Sequence, residues 1–257
     1  KDFYLTMELK ANPNNNPDKL HRIIIKHPAL TEGKVKSVYD VDAQRVMIKY
    51  RDEVTAFDGR KKSTPETKGR ICCLISELLF NYLEKQGIKT HYIDCPSLDT
   101  MLCRKLTIIP IEVIVRNIAA GSVVKNTTLD EGAVISPPLV EYFLKDDSKG
   151  DPLLTQDRIR LMGIDPEPMY HIAKDVNIHL QEMFSQLDLD LVDFKLEFGY
   201  DANGDLYVAD EISPDSMRLW GKKDGRSNDK DIFRKYGSDE ALIAAYGDIL
   251  KGLRQFA

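Results

Sequence analysis

The chain contains few cysteines and lacks long apolar segments. Only four of its 257 residues are cysteine, and no two of them form a Cys-x-x-Cys pair, so the sequence indicates neither a zinc knuckle nor a dithiol redox motif. The sequence has no apolar run long enough to cross a bilayer, and no secretory signal pattern stands at its start. We therefore expect a cytoplasmic protein with reduced cysteines and no membrane partner.

Basic residues are also fewer than acidic residues. Lysine and arginine number 36 against 41 aspartate and glutamate residues, which gives a net charge of −5, and no dense basic stripe is present. This balance argues against a nucleic-acid partner. The hydrophobic fraction of 42% and the charged fraction of 30% are typical of a globular protein with a sizeable core, built as one large domain or two smaller ones.

The most informative segment, residues 191–199, reads Leu-Val-Asp-Phe-Lys-Leu-Glu-Phe-Gly and is typical of a β-strand. Side chains alternate along a strand. Asp193, Lys195 and Glu197 therefore share one face, and the apolar residues between them share the other. This pattern predicts a charged surface backed by a hydrophobic core.

A hairpin turn is predicted immediately after this strand. Asn203-Gly204 is the usual sequence of a two-residue type I′ turn, and counting back from it places Glu197 opposite Asp210. At about 5 Å and an effective dielectric constant of ~20, two carboxylates repel by roughly 3 kcal/mol. Either a divalent cation such as Mg²⁺ offsets this repulsion, or the face is solvated and Lys195 balances the charge.

Three parts of the sequence resemble the SAICAR synthetase (phosphoribosylaminoimidazole-succinocarboxamide synthase) family. The first is the 191–199 strand followed by Ala-Asp-Glu-Ile-Ser-Pro-Asp-Ser-Met-Arg-Leu-Trp at 209–220. The others are Ile-Pro-Ile-Glu-Val-Ile-Val-Arg-Asn-Ile-Ala-Ala-Gly-Ser at 109–122 and Glu-Gly-Lys-Val-Lys-Ser-Val-Tyr at 32–39. They occur in the family's order and together span roughly residue 30 to the C-terminus.

The strand-rich first third and the mixed remainder predict an α+β fold in two lobes. The resemblance implies a two-lobed SAICAR synthetase-like fold, distantly similar to kinase and ATP-grasp architectures, with a nucleotide cleft between the lobes. We expect a smaller β-rich ATP-binding lobe at 1–104, including an extension of unassigned role at 1–28. A larger α+β lobe at 105–257 is expected to hold the metal and ribonucleotide sites. Members of the family often self-associate, so a homo-oligomer is possible.

The resemblance also implies an activity, that of an ATP-dependent ligase of purine biosynthesis. Its small-molecule substrates are ATP, carboxyaminoimidazole ribonucleotide (CAIR) and L-aspartate, its products are SAICAR, ADP and phosphate, and its cofactor is Mg²⁺. A small-molecule kinase of related fold is the alternative. Asp193-Phe194-Lys195 superficially resembles the kinase Asp-Phe-Gly motif, but the sequence has no His-Arg-Asp catalytic loop.

The resemblance assigns roles to particular residues. Glu197 and Asp210 would hold the metal, and Lys195 would neutralise charge on the transferring group; all three are the predicted catalytic residues. ATP is assigned to Gly33, Lys34 and Lys36 in a glycine-containing loop and to Lys105 near the predicted lobe junction. The substrates are assigned to Asp58, Glu112, Arg116, Ser122, Lys145, Asp147, Asp151 and Arg218.

Each of these assignments has a purely structural alternative. Two lysines on one strand face are usually solvated, and so is an acidic loop such as residues 145–151. Arg116 falls on the same strand face as Glu112 and could simply pair with it, or the two could act together. Lys195 could serve only to balance the charge of its neighbours.

Overall fold

The computed structural model describes residues 5–7, 23–25, 29–56 and 60–256, the first two segments by their backbone alone. Helices and sheets are mixed, as the predicted α+β class requires. The strands are, in chain order, β1 (Leu5–Met7), β2 (Ile23–Ile25), β3 (Thr31–Glu32), β4 (Lys36–Asp40), β5 (Arg45–Tyr50), β6 (Val54–Ala56), β7 (Lys61–Ser63), β8 (Tyr92–Ser97), β9 (Thr100–Arg104), β10 (Thr107–Ile118), β11 (Val134–Leu144), β12 (Leu153–Leu154), β13 (Leu189–Tyr200), β14 (Leu206–Ala209) and β15 (Met217–Gly221). The helices are α1 (Lys68–Lys85), α2 (Ser122–Asn126), α3 (Gln156–Leu161), α4 (Glu167–Ser185), α5 (Asp231–Tyr236) and α6 (Asp239–Leu253), with short 3₁₀ turns at Asp147–Lys149 and Arg254–Phe256.

The chain forms two compact units that are not contiguous in sequence. The first comprises Lys1–Tyr82, His91–Leu106 and Phe233–Ala257, and the second comprises Leu83–Thr90 and Thr107–Ile232. The predicted assignment of functions to lobes at 1–104 and 105–257 stays a prediction. Among the described residues, none of the helices is both long enough and apolar enough to cross a membrane.

The first unit is built on a five-stranded antiparallel sheet in the order β3-β4-β5-β9-β8. Met47 and Met101, on the neighbouring strands β5 and β9, are at most 1% exposed. Helix α1 packs beside β8, since Phe80 stacks against Tyr92 with ring centroids 6.3 Å apart. This core holds the β3–β4 connection that carries the predicted ATP loop.

The second unit is built on an antiparallel sheet in which β13 is the central strand. The order is β12-β11-β10-β13-β14, and β15 also pairs with β13. Helix α4 covers β13 and β10 with an amphipathic stripe, as expected of a helix that buries one face. Its fully buried apolar residues include Met169, Ala173, Val176 and Leu180. One face of β13 is thereby held against the core and the opposite face can carry polar groups.

Candidate active site

Strand β13 separates its charged and apolar side chains as predicted. The apolar residues are at most 1% exposed: Val192, Phe194, Leu196 and Phe198. On the other face, Lys195 Nζ lies 2.9 Å from Glu197 Oε1, two residues further along the strand. The pleat of the strand produces this separation, and the predicted charged face is confirmed.

The register of the following hairpin differs from the prediction. Glu197 faces Ala209 rather than Asp210, so the predicted direct pairing of the two carboxylates is wrong. The Gly204 N–H donates to the Asp201 carbonyl (3.1 Å) and the Asp201 N–H to the Asp205 carbonyl (3.0 Å). These bonds close a three-residue loop, with Gly204 at a φ of 84°, instead of a two-residue type I′ turn. One extra loop residue shifts the strand pairing by one position.

The side chain of Asp201 accounts for the longer loop. Its Oδ1 accepts the backbone N–H groups of Asn203 and Asp205, each at 2.9 Å. Such aspartate-to-backbone bonds stabilise a local turn. The Asn-Gly pair taken alone therefore predicts the wrong turn type, because the residue before the turn also determines it.

Asp210 nevertheless reaches the charged face. A one-residue shift would direct its side chain to the opposite face of the sheet, but its φ of 64° is left-handed. That conformation is uncommon outside glycine and is tolerated best by asparagine and aspartate. Asp210 Oδ2 consequently lies 3.9 Å from Lys195 Nζ. The predicted proximity of Asp210 to Lys195 is confirmed, although the hairpin achieves it by a different route.

The carboxylate that faces Glu197 directly belongs to strand β10. Glu112 and Glu197 are cross-strand partners in the β10–β13 pair, where like charges destabilise a sheet. Lys195 Nζ compensates by lying 2.9 Å from an oxygen of each. These contacts pair Glu112 with Lys195, whereas the predicted structural alternative pairs Glu112 with Arg116.

The pKa of Lys195 reflects this surrounding of carboxylates. Burial disfavours the charged ammonium, but Asp210, Glu197 and Glu112 together outweigh that effect and raise the pKa of Lys195 well above its usual value. Lys195 is therefore a fixed positive charge at neutral pH, suited to stabilising negative charge and unsuited to acting as a base.

A second lysine completes the cluster. Lys145 Nζ lies 2.5 Å from Glu197 Oε2, so the two oxygens of Glu197 face two different ammonium groups. The Lys145 side chain is 47% exposed and that of Glu197 only 4%. Lys145 is thus the member of the pair that can move towards solvent.

The cluster has the charge and the type of donor atom that a hard cation prefers. In these contacts three carboxylates, those of Glu112, Glu197 and Asp210, surround two ammonium groups, which leaves negative charge in excess. Carboxylate oxygens are the donors that Mg²⁺ prefers. The donor set is therefore compatible with the predicted metal residues, Glu197 and Asp210.

One of the predicted substrate residues, Arg116, is a buried arginine. Arg116 is 2% exposed and donates to Glu141 Oε2 (2.5 Å), Asp193 Oδ2 (2.9 Å) and Ser122 Oγ (2.7 Å). The β10–β13 register explains the contact with Asp193, because the two residues face each other across the sheet. The guanidinium of Arg116 is largely committed to internal partners.

Arg218 lies beside Arg116 and is more accessible. Its Nη1 donates to Asp193 Oδ2 (2.6 Å), its Nε donates to Asp231 (3.2 Å), and its side chain is 21% exposed. Gly121 adopts a φ of +62°, and a Cβ there would stand 2.6 Å from Arg218 Nη2. Glycine at this position therefore gives the Arg218 guanidinium its space.

The remaining predicted substrate residues in this unit lie in the 145–151 loop. Asp151 Oδ1 accepts the Asp146 N–H (2.9 Å) and so helps to close the loop. Asp147 is exposed in the short 3₁₀ turn. Lys145, at the start of this loop, contacts Glu197 of the Lys195 cluster.

The predicted ATP residues lie in the first unit. The Gly33 N–H donates to the Lys36 carbonyl (2.9 Å), which makes a tight turn between β3 and β4, and Lys34 is exposed. Lys105 Nζ lies 2.6 Å from Asp40 Oδ1. Asp58, the remaining predicted substrate residue, lies outside the described residues.

Sequence reasoning missed the acidic residues that hold the arginines. Glu141 comes from β11 and Asp231 from the start of α5, and neither belongs to a recognised motif. Asp229, two residues before Asp231, is fully buried. Burial and the nearby Asp231 carboxylate raise the pKa of Asp229 to about 7. In the sequence these acidic residues stand at positions with no other distinguishing feature. The sequence therefore does not indicate which arginine each of them contacts.

Comparison with known proteins identifies the family. A family model described as SAICAR synthetase matches residues 29–249. The phosphoribosylaminoimidazole-succinocarboxamide synthase of Synechocystis sp. is 50% identical over 222 residues, covering 82% of this chain and 84% of that protein.

Solved structures agree in fold as well as in sequence. A SAICAR synthetase in complex with ADP superposes with a TM-score of 0.85 at 39% identity, covering 88% of this chain and 97% of that one. The SAICAR synthetase of Pyrococcus horikoshii gives a TM-score of 0.82 at 38% identity, with 86% and 97% covered. The chain therefore belongs to the SAICAR synthetase family.

Proposed function

We propose that this chain joins the carboxylate of CAIR to the amino group of L-aspartate, using ATP, to form SAICAR, ADP and phosphate in purine biosynthesis. Family membership supports the reaction class. The observation that carries the chemistry is Lys195, which lies among Glu112, Glu197 and Asp210. Such a group suits a reaction that transfers a phosphoryl group between anions.

A carboxylate needs activation before an amine can displace one of its oxygens. In the proposed first step a carboxylate oxygen of CAIR bonds to the γ-phosphorus of ATP, and the bond from that phosphorus to the ADP oxygen breaks. In the second step the aspartate nitrogen bonds to the carbonyl carbon, and phosphate leaves with the electrons of the broken C–O bond. The neutral amine loses one of its two protons, to the departing phosphate or to water, and the amide nitrogen keeps the other.

In this scheme Lys195 neutralises negative charge on the transferring phosphoryl group. Its raised pKa keeps it charged before the substrates bind. We propose that Glu197 and Asp210 hold Mg²⁺, which would neutralise phosphate charge when bound. Lys145 would then exchange its contact with Glu197 for one with substrate, which its exposure permits.

The ATP phosphates are assigned to the Gly33–Lys36 turn, with Lys34 and Lys36 as the cations and Lys105 as a further ATP contact. Glycine allows the backbone to approach a phosphate closely. The geometry of the turn, closed by the Gly33-to-Lys36 bond, supports this assignment.

The ribonucleotide phosphate is assigned to Arg218, Ser122 and Arg116. Arg218 is the more exposed arginine, so we propose that it makes the direct phosphate contact and that Arg116 supports Ser122 from behind. Glu112 is proposed to orient the imidazole, and Asp147, Asp151 and Asp58 stay predicted substrate residues.

A cytoplasmic location is also proposed. All four cysteines are free thiols, as in proteins from a reducing compartment. Self-association stays a prediction.

Product analysis tests the function. Purified protein with Mg²⁺ should release ADP only when both CAIR and L-aspartate are present, and mass spectrometry should detect SAICAR. ADP release with a hydroxyl acceptor instead of L-aspartate would favour the kinase alternative. Nucleotide binding without turnover would reject both activities.

A further inference from the structure

Arg51, directly after strand β5, contacts the proposed phosphate turn at three points. Its Nη2 donates to the Gly33 carbonyl (2.7 Å), its backbone N–H donates to the Val35 carbonyl (2.9 Å), and its Nη1 donates to Ser37 Oγ. One side chain thus spans the turn from its first residue to the start of β4. Neither a motif nor the family resemblance singled out this arginine.

These contacts determine which backbone groups the turn presents. In a trans peptide the C=O and the following N–H point in opposite directions. Because the Gly33 carbonyl accepts from the Arg51 guanidinium, the Lys34 N–H of the same peptide group points away from that guanidinium. A phosphate is attracted by N–H groups and repelled by carbonyl oxygens. The Arg51 side chain therefore holds the Gly33 carbonyl oxygen away from the side where the Lys34 N–H would attract an anion. The Val35 carbonyl is held separately, by the Arg51 backbone N–H.

Arg51 is itself held from the opposite side. Its Nε donates to both oxygens of Glu53, at 3.1 and 3.0 Å. The next residue, Asp52, accepts the Gly69 N–H at the start of α1 (2.9 Å). A Cβ on Gly69 would stand 2.7 Å from the Arg51 carbonyl carbon, so the helix packs directly on the Arg51 backbone. Arg51 is thus held by Glu53 and by the packing of α1 on its backbone, and its side chain in turn holds the turn between β3 and β4.

We propose that Arg51 is a positioning residue for nucleotide phosphates, whose side chain acts through the Gly33 carbonyl and the Ser37 hydroxyl without touching the nucleotide. The inference rests on the proposed function, since it takes this turn to be the phosphate site. It adds a residue outside the turn that sets the orientation of the turn's peptide groups.

The test compares Arg51→Gln and Arg51→Lys with wild type. Titration calorimetry with ADP should give about tenfold weaker binding for Arg51→Gln, on the scale of one hydrogen bond to a charged group. The ADP affinity of Arg51→Lys should lie between those of Arg51→Gln and wild type, because lysine keeps the positive charge but lacks the planar guanidinium group. The KM for ATP should rise similarly while kcat is little changed. Adenosine, followed by ligand-observed NMR, should bind all three proteins equally.

Arg45→Gln is the matched control. Arg45 begins β5, the strand that Arg51 follows; its side chain is 49% exposed and pairs with Asp42. This variant should bind ADP like wild type.

Three outcomes would overturn the proposal. ADP affinity within twofold of wild type in Arg51→Gln, or in Arg51→Lys if the first variant does not fold, would show that the contacts do not matter. Equal losses for adenosine and ADP would indicate a purely structural role. Failure of wild type to bind ADP would reject the phosphate assignment itself, which separates that failure from an error about Arg51.

Discussion

At the scale of single residues, Lys195 explains why three carboxylates can lie together. Glu112 and Glu197 face each other across two strands, and Lys195 lies 2.9 Å from both. Removing one carboxylate leaves the ammonium group with the other two. The cluster should therefore remain folded with one acid neutralised, while its ability to attract a second cation falls.

Glu197→Gln tests this reading. We expect kcat to fall by about 10²–10³-fold, the usual effect of removing one preorganised electrostatic group, with the loss largest at low Mg²⁺. Steady-state ADP release measured over a range of Mg²⁺ concentrations would show it, together with a melting curve. Asp205→Asn is the control, since the Asp205 side chain lies in the same hairpin, is 51% exposed and pairs with Lys89. Wild-type turnover at limiting Mg²⁺ would exclude Glu197 as a metal ligand.

The residue scale also shows the limits of sequence reasoning. Alternation along β13 correctly predicts that Lys195 and Glu197 share a face, because it depends only on the pleat. The position of Asp210 depends on a backbone dihedral, and that of Glu112 on which strand becomes the neighbour of β13. Neither a dihedral angle nor a strand order follows from local spacing, so the pairing with Glu112 was not predicted.

At the scale of elements, the connection between β10 and α2 supports Arg218. Gly121 has a positive φ and leaves no room for a Cβ beside the guanidinium. The family resemblance predicted the Arg116, Ser122 and Arg218 group, but the need for glycine arises from a contact between residues 97 positions apart. Family and fold are confirmed by the comparisons, whereas the residue roles stay predictions.

Gly121→Ala should separate backbone strain from displacement of Arg218. At a φ of 62° and a ψ of −125° an alanine is strained by roughly 1–3 kcal/mol, and here its Cβ would also move the Arg218 guanidinium. We expect the KM for CAIR to rise by about tenfold, the equivalent of one charged hydrogen bond, and the KM for ATP to stay unchanged. Steady-state kinetics with each substrate varied would measure both.

Gly132→Ala provides the comparison. Gly132 also has a positive φ, of +90°, but a Cβ there would meet nothing within 4 Å. It should lower stability to a similar degree and leave the KM for CAIR unchanged. A similar KM increase in both variants would mean that strain alone, and not Arg218, affects binding.

At the scale of the whole molecule, the chain leaves the first unit after Leu106 and returns to it at Phe233. The C-terminal helix α6 therefore completes the unit in which the chain begins. Each unit depends on sequence segments that are far apart, so ligand binding to one unit should stabilise all the segments that form it.

ADP with Mg²⁺ should raise the melting temperature. At a free concentration one hundred times its Kd, a ligand adds about 2.7 kcal/mol to the free energy of unfolding, or roughly 5–10 °C for a chain of this size. Replacing Mg²⁺ with EDTA at the same ADP concentration should reduce the rise. Differential scanning calorimetry would measure both shifts, with adenosine as the phosphate-free control. Identical melting-temperature shifts with and without Mg²⁺ would show that nucleotide binding does not depend on the metal.

The β13–β14 hairpin places Asp210 by two effects that offset each other. The pairing of Glu197 with Ala209 would direct the Asp210 side chain away from the face that carries Lys195, and the left-handed backbone of Asp210 directs it back. A one-residue slip of β14 along β13 is thus compatible with the acidic cluster only if the backbone conformation of residue 210 changes with it. A two-residue slip would keep the carboxylate on the charged face but move it by about 7 Å along the strand.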